Sequence, residues 1–163
     1  PQHRAAPTLL KLVAALLVAT LVVLVTFGKA YIELPGVWES AVHQRRQIRI
    51  NPLQTFHTGA AWWAPWVNLI GNMALFAPIG FIAYRDSILR ATAIGFALSL
   101  GIETGQFIFA AGFSDLDDII SNTLGALVGA ALASRWRPYE SYWVIAAGSA
   151  IVLTIFAALT TIA

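Results

Sequence analysis

Acidic and amide side chains recur at helical spacing inside stretches that are otherwise apolar. Asn68 and Asn72 stand four apart; Ser99, Glu103 and Gln106 follow at i, i+4 and i+7; Asp115, Asp118 and Asn122 at i, i+3 and i+7. Each set therefore shares one face of a helix, with Asp117 turned aside toward Ser121. In a hydrolytic or group-transfer reading, Glu103 and Asp118 are the catalytic candidates. Glu103 would serve as general acid or base, while Asp117 and Asp118 would hold Mg²⁺ against a lipid phosphate. In a binding reading, Asn68, Asn72, Gln106, Asp115, Asp117 and Asn122 are the ligand contacts. No GxSxG, HExxH or P-loop pattern accompanies them. His3, His43 and His57 are isolated along the chain, without metal-ligand spacing, and read as solvated or interfacial.

A structural role stands beside each of these. Intramembrane Asn, Gln and Ser act as interhelical hydrogen-bond glue worth about 0.6 to 2 kcal/mol each. Ser114 or Asp115 is a natural helix N-cap, with the following acids complementing the dipole. Glu103 fits neither role. An ionised carboxylate near a bilayer centre costs about 2.5 to 3.5 kcal/mol, so Glu103 should face protein or a wet cavity.

The elements that must position these groups are hydrophobic rods. The 163 residues are 58% hydrophobic and 11% charged, with a mean hydropathy of +0.72, which is the signature of an integral membrane protein. Five apolar blocks, at 9–28, 62–84, 88–111, 116–134 and 142–163, are each long enough to cross a hydrocarbon core of ~30 Å. They must be helices, because an open sheet would leave backbone groups unpaired in lipid. The expectation is an all-α bundle of about five transmembrane helices forming one membrane domain over 1–163. The first block is too long for a signal-peptide core and is read as retained.

With no Cys, thiolate chemistry and disulfides are excluded. A net charge of +2, dispersed along the chain, excludes a nucleic-acid patch. Those charges speak to topology instead. Five spans put Arg4, Lys11, Arg85, Arg90, Arg135 and Arg137 on one side and Lys29, Arg45, Arg46 and Arg49 on the other. The positive-inside rule then places the N-terminus in the cytoplasm, and all three polar faces in the outer half of the membrane. Trp62, Trp63 and Trp66, and Trp136, Tyr139, Tyr142 and Trp143, suit the interfacial belts. The basic segment carrying Arg45, Arg46 and Arg49 reads as an interfacial helix or solvated loop.

Two GxxxG runs, Gly101 to Gly105 and Gly125 to Gly129, bracket Glu103 and follow Asn122. They are expected to press the third and fourth spans together around the acids, with Asn68 and Asn72 satisfying the carboxylates across the interface. Pro78 is expected to kink the second span and widen the space beside Asn72.

The order Arg49-Ile-Asn-Pro52, Asn68-Leu-Ile-Gly-Asn72 running into Phe76-Ala-Pro-Ile-Gly80, Ile102-Glu-Thr-Gly-Gln106, and Asp115-Leu-Asp-Asp118 with Asn122-Thr-Leu-Gly125 resembles the VanZ-like family over about 45–134. That resemblance implies a small polytopic helical protein. It also implies a link to resistance against the glycopeptide teicoplanin, with which the family's founding member is associated. Members often carry an Arg shortly before the acidic motif; Ala110-Ala-Gly-Phe-Ser114 has none. Arg45, Arg46 or Arg49 would have to substitute.

Two functions fit. One is a polar pocket near the outer face of a bacterial cytoplasmic membrane, binding or acting on a lipid-linked envelope precursor or a lipoglycopeptide. The other is a non-enzymatic accessory subunit packed against a larger membrane complex, using the polar-free face of the last span. A transporter has less support, because no inverted repeat is evident.

Overall fold

The computed structural model describes residues 6–33, 39–44, 46–52, 56 and 61–162. His3, Arg4, Arg45 and His57 lie outside them. Five long helices dominate: α1 (Thr8–Thr26), α2 (Ala64–Ala83), α3 (Ile88–Phe109), α4 (Leu116–Arg135) and α5 (Glu140–Ile162). All five are long and apolar enough to cross a membrane. The protein is an all-α membrane bundle, with boundaries within a few residues of the apolar blocks.

Several helix ends have a local cause. Pro65 occupies the first turn of α2, where its missing N–H is no loss. Ser87 caps α3, its hydroxyl accepting from the Arg90 N–H at 3.3 Å. Asp115 caps α4 by accepting from the Asp117 N–H at 3.0 Å. At the other end of α3, Ala110 takes the left-handed conformation (φ 52°), and its N–H closes the last turn on Gln106 and Phe107. Arg46 adds a further cap there, donating to the Ile108 carbonyl at 3.1 Å.

Helix α4 is the axle of the bundle. Its buried face reads Ser121, Asn122, Gly125, Ala126, Gly129, Ala130, Ala133, nearly all small. The closest neighbour of that face is α2, not α3. A Cβ on Gly125 would overlap the Met73 carbonyl, one on Gly129 the Ala77 carbonyl, and one on Gly80 the Ala126 carbonyl. The GxxxG at 125–129 therefore joins the second and fourth spans, correcting the expectation that it serves the third. In the other run, Gly101 faces open space and Gly105 meets the Phe27 ring of the α1 end. Contact of α3 with α4 comes instead through Gly95, where a Cβ would strike that of Ala126.

Helix α1 lays a stripe of Leu10, Ala14, Val18 and Val22 against α5 and α2. Tyr142, expected as an interfacial anchor, is buried at this end against Phe81, with its hydroxyl accepting from Arg137. Trp62, Trp63, Trp66, Trp136 and Trp143 are exposed, as rings at a membrane boundary must be.

One feature lies outside the helical plan. Strands β1 (Arg46–Arg49) and β2 (Gly112–Asp115) pair in parallel, with Arg46 opposite Gly112 and Arg49 opposite Asp115. Arg46–Arg49 is thus a strand, not an interfacial helix or loop. Its partner lies beyond α2 and α3, which together form the long crossover that a parallel pair requires.

Candidate functional site

The polar residues gather where α2 begins, α3 ends and α4 begins. Asp118 is held from across the bundle: Asn68 and Asn72, one turn apart on α2, each donate to its Oδ1 at 2.7 Å. The close α2–α4 approach through Gly125 and Gly129 lets two short amides span that gap. Ser121, expected beside Asp117, donates instead to the Asp118 carbonyl at 3.2 Å. Lys29, at the end of α1, adds a positive charge that acts on Asp118.

Glu103 occupies the adjoining interface. It is 5% exposed, and its Oε2 accepts from the Asp115 N–H at 2.8 Å. Ser114 donates to the Glu103 carbonyl at 2.7 Å, so β2 is clipped onto α3 at both its side chain and its backbone. One turn inward, Asn122 donates to Ser99 at 3.0 Å, with both residues buried. Because α3 and α4 run antiparallel, that bond brings Glu103 and Asp118 to the same level. Among the described residues, Asn122 Oδ1 and Gln106 Oε1 are buried acceptors that receive no hydrogen bond.

Asp115 links the acids to the basic strand. Its Oδ1 caps α4, and Arg49 Nη1 lies 4.0 Å from Oδ2. The Arg49 guanidinium also stacks over Phe113, 4.1 Å from the ring centre. The cation missing from the segment before the acidic motif thus arrives through the Arg49–Asp115 register of the strand pair. Burial holds the Asp115 carboxyl above its usual range, aided by the charge of Asp117, while the capping bond and Arg49 act in the opposite sense.

Among the described residues, these groups line the following cavities. One of about 260 Å³ is lined by Glu103, Asp115, Arg49 and apolar side chains including Leu100, Phe107 and Ile119. Asp117 and Asn68 line a second of about 280 Å³ with Pro52 and Phe56. The third, about 490 Å³, is lined by Lys29, Asn68, Asn72 and Trp63. Pro78 lines none of them. It borders a separate apolar groove between α2, α4 and α5. Gln106 leaves the acids as well, donating to the Thr26 carbonyl of α1 at 3.0 Å.

The Mg²⁺ expected between Asp117 and Asp118 does not suit this donor set. Two amide N–H groups point at Asp118 Oδ1, and a cation there would face their positive ends. Among the described residues, no three His, Asp or Glu side chains group to hold a metal. The residue that sequence reasoning undervalued is Arg49. The alternation of Arg46 to Ile50 was the signal available for a strand, but nothing local named its partner.

A family model described as VanZ/LLP1 matches residues 14–137. Protein VanZ of Enterococcus faecium is 30% identical over 119 residues, covering 71% of this chain and 67% of that protein. No solved structure matches the chain.

Proposed function

The chain belongs to the VanZ-like family, and from that premise we propose that it binds an amphipathic envelope ligand in the cavity beside Glu103. The ligand is a lipid-linked precursor or a lipoglycopeptide, and the cavity lies near the outer face of a bacterial cytoplasmic membrane. The observation that carries this reading is the make-up of the 260 Å³ cavity. Charged groups of Arg49, Asp115 and Glu103 meet walls made of Leu100, Phe107 and Ile119. Such a mixture suits a polar head attached to an apolar tail. Binding is favoured over catalysis because the acids are already engaged: Asp118 by two amides, Glu103 by a backbone N–H and Asp115 as a helix cap.

The other side chains serve as the frame. Asn68, Asn72 and Asp118 lock α2 to α4, Ser99 and Asn122 lock α3 to α4, and Gln106 ties α3 to α1. No observation favours an accessory subunit, since lipid alone accounts for the exposed apolar side chains of α5, such as Val144 and Ile155.

The test is reconstitution in nanodiscs with titration of teicoplanin, read by tryptophan fluorescence. Saturable binding weakened at least tenfold by Leu100→Trp, which fills the cavity from its apolar wall, is the expected result. Equal affinity in wild type and variant sinks the reading. In cells, any teicoplanin tolerance conferred by the wild type should be lost with Glu103→Gln at unchanged membrane levels of protein.

A further inference from the structure

We infer that the head of the ligand accepted by this cavity carries a protonated amine. The inference rests on the binding reading above and concerns the charge of the head alone. Arg49 is the single cation among the described residues lining the cavity, and it is engaged: it lies 4.0 Å from Asp115 and over the Phe113 ring. Glu103, facing the same space, has no counter-ion among the described residues. Its Oε2 takes the Asp115 N–H, while Oε1 accepts nothing among those residues.

The surroundings sharpen that imbalance. Asp115 lines the same cavity and brings a second carboxyl to it. In the polar layer one turn inward, Asn122 Oδ1 is a buried acceptor lacking a donor. The described lining sets two carboxyls against one guanidinium, so an incoming phosphate or carboxylate would add repulsion. An ammonium group supplies one positive charge and three N–H donors to a site with one carboxylate uncompensated. The tail has a route too. Leu100, Thr104 and Phe107 line the cavity and are also exposed on the outer face of α3, so the wall continues into the surface that lipid covers.

The experiment compares dodecylamine, dodecanol and dodecyl phosphate, which share one chain length, on the full chain in phosphatidylcholine nanodiscs. Affinities are read from the rise in thermal midpoint. Dodecylamine is expected to saturate, and to bind at least tenfold more weakly to Glu103→Gln and to Thr104→Trp, a variant that blocks the wall without touching an acid. Dodecyl phosphate binding as tightly as the amine, with the same sensitivity to Thr104→Trp, overturns the charge inference and leaves the cavity reading intact. If none of the three binds in a Thr104→Trp-sensitive way, both fall.

Discussion

Asp118 shows how a carboxylate is kept inside a hydrophobic bundle. Two amide donors on one oxygen replace the water it lost, and hydrogen bonds to a charged group contribute about 1.5 to 3 kcal/mol each. Asn72→Ala should therefore lower stability by about 1 to 3 kcal/mol in a mixed-micelle unfolding titration. Asn72→Asp should be worse, because it sets a second carboxylate where the donor was. Asp115 makes a different prediction, through pH. Burial raises its folded pKa above the unfolded value of about 3.9, so between the two values the folded protein binds more protons than the unfolded chain. Stability from this group is then greatest at low pH and falls as pH rises through that window. Asp115→Asn keeps an N-cap but cannot titrate, so its thermal midpoint should vary less from about pH 4 upward than that of the wild type.

At the scale of elements, the contact between α2 and α4 governs whether the polar residues meet at all. Gly125→Ala would drive a methyl into the Met73 backbone, which cannot yield as a side-chain end can. A loss of about 1 to 3 kcal/mol or more is expected, together with a weakened Asn68–Asp118–Asn72 clamp. Gly101→Ala is the control. Nothing lies within 4 Å of its added Cβ, so the gain in helix propensity should stabilise by about 1 kcal/mol. Both are read by the same unfolding titration, and equal effects would refute the pairing. The strand pair does the corresponding work for Arg49, since one residue of slip would set Ile48 or Ile50 opposite Asp115 in its place.

At the scale of the whole molecule, polarity is divided between the two ends of the bundle. The acid and amide groups lie at one end. Arg85, Arg90, Arg135 and Arg137 lie at the other, where Arg137 reaches Tyr142 and Arg90 pairs with Asp86. In the topology we propose, which follows the positive-inside rule, the arginine end is cytoplasmic. The chain has no Cys, so single-cysteine labelling is clean. A cysteine replacing Glu39 should react with an impermeant maleimide in intact cells, and one replacing Asp86 only after permeabilisation. The reverse pattern inverts the topology and moves the cavity to the inner face.

The amino-acid sequence alone determined the five helices and the faces their polar residues share. In lipid every backbone group must bond within its own helix, and helical spacing then assigns Asn68 with Asn72, and Ser99 with Glu103, to common stripes. It also anticipated that the α2 amides would satisfy a carboxylate. Which stripe meets which neighbour was decided only in three dimensions. Gly125 and Gly129 turned to α2, Gln106 to α1, and Arg49 crossed two helices to reach Asp115. A run of small residues carries no address for its partner, and lipid tails cover an apolar face as well as another helix does, so only the competition among all five rods selects the pairs.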